Sequence, residues 1–159
     1  MNKKISLYGM LTALCIVLGY VEHLISFDFM APGIKIGLAN SLVLLLVAKK
    51  DFLGAVLVNT ARIILSSLLF SSFAALMYSF AGAFLSMLLI YLLRKTDKIS
   101  LVGLSVIGAV AHNLAQLCVA ALLLSRGVWY YCPILIISAV ISGFLTGNLA
   151  TLVFKRSDR

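Results

Sequence analysis

Six long apolar runs, separated by short basic or polar clusters, are the feature that most restricts how this chain can fold. The chain is 63% hydrophobic and only 11% charged, and its mean hydropathy is +1.14. The runs are continuous rather than alternating, which favours α-helices, because a helix satisfies its own backbone hydrogen bonds in lipid. We therefore predict an all-α integral membrane protein with six transmembrane helices, forming a single transmembrane domain over residues 1–159.

The apolar runs set the predicted helix boundaries. The second run is the shortest, and the link at Ser71 and Ser72 predicts either a tight helical hairpin or a re-entrant helix end. The first run begins like a signal peptide but has no clear small-residue cleavage site before Glu22, so we predict that it is retained. The six predicted helices cover residues 5–25, 34–48, 52–70, 73–93, 101–124 and 133–154.

The basic residues predict the orientation in the membrane. If the N-terminus is cytoplasmic, ten Lys and Arg residues fall on the cytoplasmic side, and only Lys35 and Arg126 fall outside. This asymmetry is the positive-inside pattern. It predicts a plasma-membrane protein with both termini in the cytoplasm, and it explains the net charge of +8 without a nucleic-acid partner.

Several polar side chains fall at membrane depth, where charged groups are costly and mark functional sites by default. Arg62 lies about 16 Å, and His112 about 21 Å, from the cytoplasmic ends of their helices. Gln116 lies one turn beyond His112, and Asn59 shares a helix face with Arg62. We predict a substrate-binding cavity that opens outward. Its predicted residues are Glu22, His23, Lys35, Asn40, Arg62, His112, Asn113 and Gln116.

Residues 32–40 place Lys35 inside an apolar run. Pro32 suits a helix start, and Gly33 and Gly37 allow another chain or a ligand to approach closely. If one helix runs through to Lys49, Lys35 lies about 21 Å from it and several ångströms below the outer interface. The side chain either faces a polar cavity roofed by residues 26–31 or extends to the lipid headgroups.

The predicted site has two positive charges, from Lys35 and Arg62, and one negative charge, from Glu22. Its net positive charge favours a small anionic ligand, and its apolar walls suit the body of an amphipathic molecule. Each residue also has a structural alternative. His112 and its amide neighbours can link helices by hydrogen bonds. Arg62 and Glu22 can form a structural ion pair, and Glu22 and His23 can be ordinary interfacial residues.

Small residues form further patterns on the helices. Gly9 and Ala13 make a small-xxx-small pair on the first helix, suited to packing within the bundle or to docking a partner membrane protein. Ser79, Gly82, Ala83 and Ser86, and likewise Ser138, Ser142 and Thr146, form faces that we interpret as packing surfaces.

The chain is predicted not to be an enzyme. It lacks the GxxxxGK[ST] nucleotide loop. Its five acidic residues are too scattered to hold the magnesium ions of a diphosphate-using synthase. No metal or cofactor is predicted.

Three motifs resemble the Gx transporter family, often labelled heptaprenyl diphosphate synthase component I. They are residues 32–40 (PGIKIGLAN), 62–70 (RIILSSLLF) and 111–116 (AHNLAQ). That family is similar to the substrate-binding S components of energy-coupling-factor (ECF) vitamin transporters. The resemblance implies a six-helix S-component-like bundle whose partners are a transmembrane coupling protein and two cytoplasmic ATPases. It also implies docking through Gly9 and Ala13, with Gly9 standing where alanine is usual.

Three functions follow as hypotheses. The first is the substrate-binding subunit of an ATP-driven importer. The second is a non-catalytic membrane partner of an enzyme of prenyl diphosphate or quinone synthesis, and the third is a stand-alone carrier. Partners retained during purification from native membranes distinguish them: ATPases indicate the first, a soluble prenyl synthase the second, and neither the third.

Overall fold

The computed structural model of the protein describes residues 2–24, 37–70, 73–96, 98–123 and 126–157. These residues form helices joined by turns. The bounds of the helices are α1 Asn2–Leu24, α2 Leu38–Ala48, α3 Phe52–Phe70, α4 Phe73–Arg94, α5 Leu101–Leu123 and α6 Cys132–Ser157, with a short 3₁₀ helix at Arg126–Tyr131 before α6. The predicted link at Ser71 and Ser72 lies outside the described residues.

Five of these helices are long and apolar enough to cross a membrane, which confirms an all-α, multi-pass membrane protein. The exception is α2, whose 11 residues span about 16 Å, roughly half of a bilayer core. Six complete spans therefore remain a prediction.

The start of α2 corrects one prediction. A continuous helix from Pro32 through Lys35 to Lys49 is wrong, because α2 begins at Leu38 and Gly37 has a left-handed backbone with φ of 84°. A left-handed residue interrupts a right-handed helix, and glycine adopts it without a Cβ penalty. The depth of Lys35 in the membrane was inferred from that continuous helix, so this inference no longer holds. Lys35 itself lies outside the described residues.

The short helix α2 is the centre of the bundle. It contacts α1, α3, α5 and α6, and six of its 11 residues are buried. Its apolar side chains join those of α1, α3 and α4 in one core. The central members of that core are Cys15, Ala39, Val43, Leu46, Val47, Ala55, Val58, Met87 and Ile90.

Glycines bring α4, α5 and α6 into close contact. A Cβ at Gly143 or Gly147 of α6 would lie 2.7 Å from the Cα of Val106 or Val102 on α5. The pair forms a GxxxG motif, which permits such backbone approach in membranes. A Cβ at Gly108 of α5 would likewise lie 2.7 Å from Cδ1 of Ile90 on α4.

Asp51 joins α1 to the beginning of α3. The hydroxyl of Tyr8 donates to Asp51 Oδ2 at 2.5 Å, and the backbone N–H of Gly54 donates to Asp51 Oδ1 at 3.1 Å. The Tyr8 hydrogen bond is the main cause that lowers the pKa of Asp51 below its ordinary value of 3.8. Burial opposes the shift, while Gly54 and the charge of Lys4 add to it.

The hydrogen bond between Tyr8 and Asp51 predicts that the stability of the folded protein depends on pH. Since the folded pKa of Asp51 lies below the unfolded one, its stabilisation is complete above the unfolded pKa and is lost as the pH falls through the folded pKa. We expect Tyr8→Phe to lower the melting temperature at neutral pH. Below about pH 4, the melting temperature of this variant should fall less with added acid than that of the unaltered protein. Tyr130→Phe, at a highly exposed site, is the control. Equal melting curves for the two variants would contradict this role.

Candidate functional site

A small polar cavity of about 50 Å³ lies among α2, α3, α4, α5 and α6. Apolar side chains of α2 and α4 form much of its wall, and hydroxyl, amide and imidazole groups form the rest. Few, convergent polar groups on apolar walls are typical of small-molecule sites, but at about 50 Å³ this cavity has room for only a small group of a ligand. Its polar lining residues are Asn40, Asn59, Ser86, Ser105, His112, Ser142 and Thr146.

Arg62 does not line this cavity but hydrogen-bonds to a residue that does. Its Nη2 donates to Asn59 Oδ1 at 2.7 Å, and Asn59 is a buried lining residue. The Nε atom of Arg62 is also buried but has no hydrogen-bond partner among the described residues. A guanidinium keeps its proton and its donors at any physiological pH. The half-buried guanidinium thus keeps one buried donor without a partner among the described residues.

Glu22 has a structural contact in the bundle. It is only 9% exposed, and its Oε1 accepts a hydrogen bond from the backbone N–H of Leu38, the first residue of α2. A carboxylate at a helix N-terminus is favourable, and Gly37 has no side chain to cap this helix. Glu22 also interacts electrostatically with Arg62. The side chain of His23 lies outside what the structure describes.

His112 is held against α4. A Cβ at Gly82 would lie 2.9 Å from three atoms of the His112 ring, so the imidazole packs on a position that only glycine leaves open. The ring also lines the cavity. The face of α4 that we interpreted as a packing surface therefore positions a predicted site residue.

Asn40 marks the cavity at the N-terminal end of α2. Its side chain lines the cavity and is also exposed, so the cavity reaches the surface there. Gly37 lies beside it, since a Cβ at Gly37 would be 3.0 Å from Ser142 Oγ and 3.2 Å from Thr146 Cγ2. The cavity entrance is thus next to the backbone turn that begins α2.

Four predicted residues are not part of the cavity lining: Glu22 and Arg62, whose contacts are given above, and Asn113 and Gln116. Asn113 Nδ2 donates to the backbone carbonyl of Leu135 at 3.0 Å and joins α5 to α6. This is the interhelical role that we gave as its alternative. Gln116 is half-buried one turn beyond His112 and does not line this cavity.

The hydroxyls of α5 and α6 are lining residues that sequence reasoning did not identify. Ser105 Oγ and Thr146 Oγ1 are 2.9 Å apart and buried, and Ser142 lies one turn before Thr146 on the same wall. We had interpreted Ser142 and Thr146 as packing residues only. The GxxxG motif of Gly143 and Gly147 was a usable signal, because it predicts which face of α6 meets α5.

Gly9 and Ala13 lie on the outer surface of α1. Both are exposed, and a Cβ at Gly9 would have no heavy atom within 4 Å. The alternative that this pair packs within the bundle is therefore wrong.

Fold and cavity together define a class, the multi-pass α-helical membrane proteins with a small polar cavity inside the helix bundle. The chain belongs to the heptaprenyl diphosphate synthase component I family, whose family model matches residues 11–153. This match confirms the resemblance seen in the three motifs. Component I is a non-catalytic component of that synthase, so the chain is not itself an enzyme. Comparisons with curated proteins and with solved structures each find no significant match.

Proposed function

We propose that this chain is the ligand-binding membrane subunit of a multi-component system, similar to the S component of an ECF-type importer. It binds a small anionic or amphipathic molecule in the cavity among α2, α3, α4, α5 and α6. In this proposal the chain is a single transmembrane domain in the plasma membrane, with both termini cytoplasmic. Its partners are a transmembrane coupling protein and cytoplasmic ATPases.

The observation that carries this proposal is the buried donor of Arg62. Its guanidinium already engages Asn59 beside the cavity, while Nε has no partner among the described residues. A buried donor without a partner is destabilising by about 1–3 kcal/mol, and more when it is charged. An anionic ligand would satisfy it with a charge-assisted hydrogen bond. Asn40 and His112 would supply directional hydrogen bonds at the same cavity.

A second function is favoured by the family description, which names a component of a synthase. In that function the chain is a non-catalytic membrane partner of a prenyl diphosphate synthase, and the cavity serves to hold an amphipathic substrate or product. Both functions require a partner protein, but of different kinds.

Purification of the full chain from native membranes in mild detergent tests the two functions. We expect co-purifying ATPase subunits and, by native mass spectrometry, a retained small anionic molecule. A soluble prenyl synthase in place of the ATPases would support the second function. A protein that retains neither a partner nor a ligand would contradict both.

Coupling to a partner predicts the effect of a bulky residue on α1. We expect Ala13→Trp to abolish co-purification of the ATPase module, because a small-xxx-small face permits close helix approach. Ligand retention and melting temperature should stay unchanged, since Ala13 is exposed. Leu7→Trp, at another exposed position of α1, is the matched control. Unaltered assembly after Ala13→Trp would disprove docking at this face.

A further inference from the structure

A second and larger cavity is a groove between α3 and α4, which shares Asn59, Ala83 and Met87 with the polar cavity. Its volume is about 210 Å³. Phe84 and Leu88 line it and are 66% and 43% exposed, so the groove opens on the outer surface of the bundle, where hydrocarbon surrounds a membrane protein. The remaining lining residues are Phe52, Val56, Asn59, Thr60, Ile63, Phe80, Ala83, Met87 and Tyr91.

The length of the groove matches one leaflet of a bilayer. On α3 it runs from Phe52 to Ile63, about 16 Å of helix. The hydrocarbon of one leaflet is about 15 Å thick, half of a bilayer core. The dimensions of the groove therefore suit a single hydrocarbon chain.

An aromatic pair closes one end of the groove and carries a cation. The rings of Phe52 and Tyr91 lie 4.5 Å apart, centroid to centroid. Lys95 Nζ is 4.3 Å from the centroid of the Tyr91 ring, within the range of a cation–π contact. A positive charge is thus fixed where the apolar groove ends.

Further basic residues lie close to Phe52 and Tyr91 along the sequence. Together with Lys95 we call them the basic cluster. Two acidic residues accompany it, Asp97 and Asp51. The carboxylate of Asp51 already accepts hydrogen bonds from Tyr8 and Gly54. Clusters of this kind attract anionic lipid headgroups. The basic cluster consists of Lys49, Lys50, Arg94, Lys95 and Lys98.

We propose that the groove between α3 and α4 binds one acyl chain of an anionic phospholipid from the surrounding bilayer, and that the basic cluster holds its headgroup phosphate. The lining of the groove is mostly apolar, with Lys95 at its Phe52 end, whereas hydroxyl, amide and imidazole groups line much of the polar cavity. The lipid site is independent of the ligand and the partner proposed above. In this proposal the bound lipid packs against α3, the helix that carries Arg62, and helps to hold that helix in place.

Native mass spectrometry of the full-length protein tests this site. The probe is an equimolar mixture of phosphatidylglycerol and phosphatidylcholine with identical acyl chains. We expect preferential retention of phosphatidylglycerol. Lys50→Gln with Lys95→Gln should weaken the preference by about five-fold per lysine removed. The control, Lys155→Gln with Arg156→Gln, changes exposed residues at the end of α6 and should leave the preference intact.

A second pair of variants tests the acyl chain. Val56→Trp fills the groove, whereas Leu57→Trp adds the same ring at an exposed position of α3 outside the groove. We expect the first to abolish phosphatidylglycerol retention and the second to leave it unchanged. Equal retention of both lipids, or unchanged retention after Val56→Trp, would overturn the proposal. So would a partner helix or a different amphiphile found in the groove. If Val56→Trp does not fold, the variants of Lys50 and Lys95, which change exposed residues, still test the proposal.

Discussion

Replacing Gly143 by leucine is expected to separate α5 from α6 and to remove most of the folded protein. A Cβ at this position would meet only backbone: the Cα of Val106 at 2.7 Å, its N at 3.1 Å and the carbonyl oxygen of Ser105 at 3.1 Å. Backbone cannot move aside as a side chain can. Overpacking destabilises by about 1–3 kcal/mol and occasionally more, and this contact belongs at the upper end of that range.

The loss should extend to the polar cavity. Separation of α5 from α6 would break the hydrogen bond between Ser105 and Thr146 and the one from Asn113 to Leu135. We expect Gly143→Leu to lower the melting temperature in detergent and to yield an aggregated species on size exclusion. Gly9→Leu is the matched control, because a Cβ there meets no heavy atom within 4 Å. Equal melting temperatures for the two variants would show that Gly143 is not a contact that the fold requires.

The helices that the sequence predicts well are α3 and α4, each bounded by charge at one end and by the Ser71–Ser72 link at the other. α3 begins and ends at the predicted residues, and α4 extends the predicted run by one residue to Arg94. An apolar run of about 20 residues that starts or ends at a basic cluster leaves little freedom in a membrane. The start of α2 was missed because one backbone angle decides it. The left-handed Gly37 interrupts an apolar pattern that is otherwise compatible with a longer helix.

The inner faces of the helices were harder to predict than their ends. In a soluble helix the polar face marks the outside, but in lipid both faces are apolar. Phe84 is largely exposed, while Met87, three residues later on the same helix, is buried. Only small-residue motifs and polar groups report the inner face from sequence. For that reason the depth of Arg62 and His112 indicated the cavity region, whereas the role of Asn113 depended on a carbonyl of α6 that no motif marks.

Replacing Arg62 by alanine is the decisive change for the proposed site. We expect the retained ligand to bind more weakly by about 1.5–3 kcal/mol, the contribution of a lost hydrogen bond to a charged group. The melting temperature should change less than the affinity does. Among the described residues, the hydrogen bond given for Arg62 is the one from Nη2 to Asn59 in the same helix, and Nε has no partner there. Arg62→Lys should restore part of the affinity, since it keeps the charge but loses the planar fork.

Ligand retention and melting temperature measured on the same variants separate a binding role from a structural one. Arg156→Ala, at an exposed position near the end of α6, is the control for removal of one positive charge. The competing role is an ion pair with Glu22, which interacts electrostatically with Arg62. A structural ion pair leaves an uncompensated buried charge when one partner is removed, and removal of both relieves that penalty. If Arg62→Ala unfolds the protein and an added Glu22→Gln restores it, Arg62 is a structural residue and the proposed binding site is wrong.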